Sequence, residues 1–241
     1  MRGPCAARTV RGVDRPAART WHGVTALVAA VALVVQVALV VSGESVLVTT
    51  GGVPPTGVRL ARFASYFTVQ SNVLVLLTSA GLALRPDRDG RVWRVLRLDA
   101  LVGITVTGLV HWFLLRPLLD LSGASYITDK LLHVAVPVLA LGGWLLFGPR
   151  PRLSADLLLP ALVWPVAYLA FTVLRGGITG WYPYPFLDVG VRGAGAVAGT
   201  SIGVAVLLVA VAVGLQLAER RLGPAPRPVE LSAPRAGRDA R

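Results

Sequence analysis

Cysteine, lysine and asparagine are almost absent from this sequence, because Cys5, Lys130 and Asn72 are the only examples in 241 residues. A single cysteine excludes a disulfide framework, a zinc cluster of several cysteines and an iron–sulfur site within one chain. Val73 and Leu74 follow Asn72, so the sequence contains no acceptor for N-glycosylation. These absences remove several classes of secreted and metal-binding protein.

Charged residues are also scarce, since they make up only 15% of the chain whereas hydrophobic residues make up 54%. Such a composition lies outside the ordinary soluble class. The formal net charge of +12 would suit nucleic-acid binding only if it covered a polar folded surface. The arginines instead gather in short stretches between apolar runs, so the charge indicates membrane topology and no nucleic-acid partner is expected.

Long apolar runs make up most of the sequence. A hydrocarbon core about 30 Å thick is crossed by roughly 20 helical residues. Lipid offers no hydrogen-bond partner to an open strand, and these runs are too continuous for barrel strands with alternating faces. The sequence therefore predicts an all-α, polytopic bundle of six transmembrane helices at about residues 21–42, 63–84, 96–119, 126–147, 157–174 and 193–218. Residues 1–20 are predicted as a basic tail and residues 219–241 as a disordered tail rich in Pro and Arg.

The basic residues are divided unequally between the two sides of this bundle. The N-terminal tail, the connections after the second and fourth helices and the C-terminal tail hold 18 of them, and the other three connections hold 6. Basic residues favour the cytoplasmic side. The count predicts a multi-pass protein of the plasma membrane with both termini in the cytoplasm.

Polar side chains cluster toward the predicted outer side, and each is costly inside lipid. Ser65, Thr68 and Asn72 are spaced by three and four residues, which places them on one face of a helix. Asp129 and His133 are four apart, so the carboxylate can orient the imidazole. Hydrogen bonds that only hold helices together are the alternative interpretation of these residues.

Three further segments carry polar groups at the same level. His111 enters an interfacial aromatic stretch and is either an interfacial anchor or a cavity residue. Arg175, at the end of the fifth predicted helix, is a natural partner for a carboxylate or other anion, and Asp188 across the following loop could neutralise it. That loop contains Tyr-Pro-Tyr-Pro from Tyr182, which predicts either a rigid aromatic lid or a plain interfacial belt.

Three motifs carry a resemblance to known proteins. They are Ser-Tyr-Phe-Thr-Val-Gln-Ser-Asn at residues 65–72, Leu-Leu-His-Val-Ala-Val-Pro at residues 131–137 and Gly-Trp-Tyr-Pro-Tyr-Pro-Phe-Leu-Asp at residues 180–188. Over helices two to six the chain resembles a group of six-span bacterial membrane proteins of the actinobacterial type. More remotely, it is similar to the androgen-induced, membrane-embedded threonine hydrolases of animals, which cleave fatty acid esters of hydroxy fatty acids with a threonine and a histidine.

The remote resemblance implies that Thr68 is a nucleophile and His133 its base, acting on an acyl-ester lipid in the membrane. The residues add that Asp129 could hold the His133 tautomer that accepts the threonine proton. No metal and no cofactor are expected. The predicted substrate-binding residues, including candidate donors to an oxyanion and the partner of a lipid carboxylate, are Asn72, Ser71, His111, Arg175, Tyr182 and Asp188.

Two other functions remain open at this stage. A non-enzymatic transporter or lipid-binding protein would use the polar face as a pathway or pocket, but a continuous pathway needs polar groups at all depths. The predicted inner half offers mainly Asp99, Ser79 and Thr78. A haem protein would use His111 and His133 as iron ligands.

Overall fold

A computed structural model describes residues 15–44, 52–148 and 155–222. All regular secondary structure within these ranges is helical, and six helical segments are long and apolar enough to cross a membrane. The predicted all-α fold with six such segments is therefore confirmed for this part of the chain. Of the predicted tails, residues 1–20 and 219–241, the parts at 1–14 and 223–241 lie outside the described residues, and residues 15–20 and 219–222 are helical.

Nine α-helices occur in the described ranges, and we number them in chain order. They are α1 (Arg15–Ser42), α2 (Thr56–Ala64), α3 (Phe67–Leu84), α4 (Arg91–Val110), α5 (Gly123–Lys130), α6 (Val136–Phe147), α7 (Ala155–Thr179), α8 (Val189–Arg192) and α9 (Ala194–Leu222). A π-helical turn, His111–Leu115, continues α4, and a second one, Leu131–Ala135, joins α5 to α6. Short 3-10 turns occupy Arg116–Leu118 and Pro185–Leu187.

The second predicted helix starts too early. Phe63 belongs to the short helix α2, and α3 begins only at Phe67, after Tyr66 adopts an extended backbone with φ −77° and ψ 131°. The apolar run alone could not reveal this break. Within α2, the Arg59 guanidinium donates to the carbonyls of Val40 at 2.7 Å and Val41 at 2.8 Å. Those carbonyls belong to the last turn of α1, so the arginine joins α2 to that helix.

Several other predicted helices are too short at their polar ends. The first helix begins at Arg15 rather than 21, and the third at Arg91 rather than 96. The fifth extends to Thr179 and the sixth to Leu222, past the predicted ends at 174 and 218. Hydropathy detects only the part of a helix that matches the hydrocarbon core, whereas basic and polar residues continue the helix into the interface.

The centre of the bundle is formed by α1, α3, α4 and α6. Within an apolar 18-residue window of each segment, 61% of the residues of Arg91–Leu118 are buried, but only 17% of those of α7 and 11% of those of α9, so those two helices are peripheral. Small residues let neighbouring helices approach closely. A Cβ at Gly103 would lie 2.8 Å from the Trp164 ring, and a Cβ at Gly108 would lie 3.2 Å from the His133 carbonyl oxygen.

We expect Gly103→Ala to destabilise the bundle by about 1–3 kcal/mol, because the added methyl group overlaps a ring that cannot easily move. Trp164 donates to Gln70 at 3.0 Å and stacks on Phe67 at 4.5 Å. The measurement is the unfolding midpoint of the purified protein in detergent. Gly214→Ala is the matched control because a Cβ there meets nothing within 4 Å. Equal midpoints for the two variants would contradict this packing.

Candidate functional site

A cavity of about 570 Å³ opens at the end of the bundle that is covered by α2 and residues 180–188. It reaches inward to the first turn of α3 and to both π-helical turns. Such turns are rare in proteins as a whole, but those that occur are often found at functional sites, because they re-aim side chains within a continuous helix. Six of the predicted site residues line this cavity: Thr68, His111, Asp129, His133, Tyr182 and Asp188.

The hydroxyl of Thr68 faces the imidazole of His133, with 3.3 Å between Oγ1 and Nε2. Thr68 occupies this place because the break at Tyr66 turns the start of α3 toward the cavity. On the other side of the ring, Nδ1 of His133 lies 3.0 Å from the Asp129 carbonyl oxygen and 3.0 Å from its carboxylate. Such oxygens can only accept hydrogen bonds, and Nδ1 is hydrogen-bonded to the carbonyl oxygen, so Nδ1 carries the proton. The lone pair of Nε2 is therefore free to accept the proton of Thr68.

The Asp129 carboxylate is buried, with 5% of its side chain exposed, and three basic groups surround it. Its Oδ1 contacts His133, and its Oδ2 lies 3.3 Å from His111 Nε2 and 2.9 Å from Lys130 Nζ. A buried carboxylate is costly unless its charge is balanced. Lys130 supplies that balance, and the two histidines complete the contacts of the carboxylate.

His111 stacks on His133, with the ring centroids 3.8 Å apart and the planes inclined by only 12°. The nitrogen and oxygen atoms of His111, His133 and Asp129 that could bind a metal lie within 4.8 Å of one another. A metal ion, however, binds imidazole at about 2.0–2.1 Å along the lone pair in the ring plane. The lone pairs of two parallel rings lie in separate planes, so one metal ion cannot lie in both planes unless one ring leaves the stack. No haem plane fits between the two rings. The geometry fits hydrogen bonding and proton transfer.

Tyr184 is a site residue that sequence reasoning missed. Its hydroxyl accepts from the Thr68 backbone N–H at 3.3 Å and lies 3.5 Å from Thr68 Oγ1. Its ring stacks on Phe186 at 5.2 Å, which fixes its position. Burial raises the pKa of Tyr184, so the phenol keeps its proton and can donate it. The Tyr-Pro-Tyr-Pro motif identified the loop, but it could not show which tyrosine reaches the threonine.

Asn72 and Ser71 do not line the cavity, although both were predicted to bind substrate. The Asn72 amide donates to the Thr68 carbonyl at 2.8 Å and to the Leu132 carbonyl at 3.3 Å, which uses both of its N–H groups. Ser71 accepts from the Thr107 hydroxyl at 3.2 Å. The structure therefore places these residues behind Thr68, where they join neighbouring helices, and the oxyanion role predicted for them has no geometric support.

Arg175 does not line the cavity either, and its guanidinium lies 4.8 Å from the centre of the Trp181 ring. No ion pair joins Arg175 to Asp188 in the described structure, so the predicted neutralisation is not seen. The Asp188 carboxylate instead accepts from the Val191 N–H at 3.1 Å and caps α8. Arg62, which the sequence analysis did not select, lines the cavity and lies 5.0 Å from the same Trp181 ring.

Comparisons with protein-family models, with curated proteins and with solved structures find no match for this chain. The geometry of the cavity is therefore the observation that bears on function. It defines a buried threonine–histidine–aspartate chain with a phenol beside the threonine.

We expect nuclear magnetic resonance of ¹⁵N-histidine-labelled protein to show His133 as the neutral tautomer protonated on Nδ1 at neutral pH. The chain has only three histidines, so His22→Gln and His111→Gln variants suffice to assign the signals. Asp129→Leu should shift the His133 signals because it removes the carboxylate that contacts Nδ1. Protonation on Nε2 in the unmodified protein would contradict the described geometry.

Proposed function

We propose that this protein is a multi-pass membrane hydrolase that cleaves acyl esters of lipids, with Thr68 as the nucleophile and His133 as the base. One observation carries the proposal: Thr68 Oγ1 lies 3.3 Å from His133 Nε2, whose ring is held from behind by Asp129 at 3.0 Å. A weak hydroxyl nucleophile needs an adjacent base, and that base needs a third group to orient it.

The orientation that we propose has both termini in the cytoplasm and the cavity open toward the outer side. Six crossings return the chain to the side where it starts. The basic stretch between α3 and α4 lies at the end of the bundle opposite the cavity. Basic residues favour the cytoplasm, and the 18 to 6 division of such residues supports this orientation.

The cavity suits an acyl chain. Its volume of about 570 Å³ is within the usual range for sites that bind small molecules. Much of its wall is apolar, and Thr68, Asp129 and His133 are among its polar lining residues. An apolar wall binds hydrocarbon by excluding water. Apolar side chains that line the cavity include Val40, Phe63, Val69, Leu115, Leu119 and Leu132.

In the first half-reaction, Thr68 Oγ1 attacks the ester carbonyl carbon while its proton passes to His133 Nε2. The resulting imidazolium is stabilised by the Asp129 carboxylate. The carbonyl oxygen becomes an oxyanion, and the Tyr184 hydroxyl beside Thr68 donates to it. The tetrahedral intermediate then collapses, the ester C–O bond breaks, and the alcohol leaves with the proton from His133. Thr68 is left as an acyl ester.

In the second half-reaction, a water molecule attacks the acyl-threonine carbonyl and gives its proton to His133. Collapse of this intermediate breaks the bond to Thr68 Oγ1, which recovers the proton, and releases the fatty acid. The net reaction consumes one water and yields an alcohol and a carboxylic acid. No redox step and no further reactant are needed. A lipid-binding protein or transporter, the alternative, would use the same cavity without needing the threonine oxygen.

We expect Thr68→Ala to lower the rate of acyl-ester hydrolysis by roughly 10³-fold or more, since it removes the nucleophile. Thr68→Ser should keep measurable activity because it retains the hydroxyl. The assay measures fatty acid released from acyl esters of graded chain length by the purified protein in detergent. Thr200→Ala is the matched control, because its exposed hydroxyl only bonds within α9. Equal turnover by Thr68→Ala and the unmodified protein would contradict the proposal.

We expect Tyr184→Phe to lower kcat by about 10- to 100-fold with little change in KM, because the phenol acts on the oxyanion of the transition state. The ring packing is kept by phenylalanine, so the unfolding midpoint should stay close to that of the unmodified protein. Tyr126→Phe is the control because its side chain is exposed and outside the cavity. A kcat equal to that of the unmodified protein would remove Tyr184 from the mechanism.

A further inference from the structure

A second buried polar cluster lies at the end of the bundle opposite the cavity, where α1, α3, α4 and α6 meet. Close contacts fix this level of the bundle. A Cβ at Gly81 of α3 would lie 2.4 Å from the Trp93 ring of α4, and a Cβ at Gly143 of α6 would lie 3.0 Å from His22 of α1. The centre of this cluster is Arg97, which belongs to α4.

Arg97 is 1% exposed, and its side chain is almost without partners. Its Nη1 donates to Thr78 Oγ1 at 3.5 Å, while Nε and Nη2 are buried and have no hydrogen-bond partner in the described structure. No carboxylate of the described residues forms an ion pair with it. Asp99, two positions further along α4, lines a separate small cavity beside α7 and α9.

An unpaired arginine is costly in such a place. A guanidinium does not lose its proton under ordinary conditions, and a charge taken out of water needs a partner of opposite sign. Within a membrane, ionisable side chains are rare and mark functional pathways or sites. The buried charge of Arg97 therefore calls for a counter-ion that the described side chains do not supply.

Buried donors without a hydrogen-bond partner also occur near Arg97 and Thr78 along α4 and α3. Trp93 Nε1 lies one helical turn before Arg97, and Ser79 Oγ follows the threonine that Arg97 contacts. Hydrogen-bond donors beside one positive charge match an anion. Water would satisfy the donors but would leave the charge of Arg97 unbalanced.

The anion must be small. Arg97 lines neither the main cavity nor the small cavity beside Asp99, and its 1% exposure leaves no opening for a lipid headgroup. We propose that Arg97 is the centre of a buried binding site for a small inorganic anion of the halide class, with Trp93 Nε1 as a second donor. This site is separate from the threonine–histidine cavity and does not depend on hydrolysis.

The first test is anion-dependent stability of the full chain purified in detergent. Sodium gluconate is replaced stepwise by sodium chloride at constant ionic strength, and the unfolding midpoint is recorded. We expect a saturable rise of about 3–6 °C once chloride reaches roughly ten times its dissociation constant. Arg94→Gln should behave in the same way, because Arg94 is at the surface and paired with Asp89 at 2.6 Å. Arg97→Gln should lose the chloride response, and an unchanged response would overturn the proposal.

The second test does not require an Arg97 variant to fold. Equilibrium binding of ³⁶Cl⁻ is measured on the unmodified protein and on Trp93→Phe, which removes one N–H donor. We expect saturable binding that bromide displaces and that Trp93→Phe weakens roughly 5- to 10-fold. Trp112→Phe, at an exposed ring, should bind like the unmodified protein. The absence of saturable chloride binding to the unmodified protein would overturn the proposal and leave water as the partner of Arg97.

Discussion

The buried Asp129 carboxylate is the group on which the arrangement of the cavity depends. It contacts His133 through one oxygen and His111 and Lys130 through the other, with distances between 2.9 and 3.3 Å. These contacts join the end of α4 to the segment between α5 and α6. Because one carboxylate holds both rings, the histidines stack, and the free nitrogen of His133 is directed at Thr68.

Local spacing in the sequence predicted part of this site. Asp129 and His133 are four residues apart, and that spacing alone places them on one helical face. Sequence could not show that a π-helical turn begins at Leu131, nor that Gly108 lets α4 approach closely enough for His111 to stack on His133. These features arise from packing between segments that are distant in sequence. The contact of Tyr184 with Thr68 has the same origin.

The predicted fold was more accurate than the predicted roles of single residues, for a physical reason. Lipid imposes a helical backbone and a minimum length on every apolar run, so the apolar runs alone predict the number of segments able to cross a membrane. A polar side chain has several possible partners, and only packing selects among them. Asn72 and Ser71 bond to neighbouring helices, and Asp188 caps α8, although the sequence was equally compatible with contacts to a substrate.

The central claim is that Thr68 carries the acyl group during turnover. The most direct measurement is mass spectrometry of peptides from the purified protein after rapid acid quenching with an acyl ester in excess. The account predicts a fraction of the protein with one acyl group on Thr68 Oγ1, which disappears when the ester is exhausted. Ester turnover with acylation at another residue, or with none on Thr68, would contradict it.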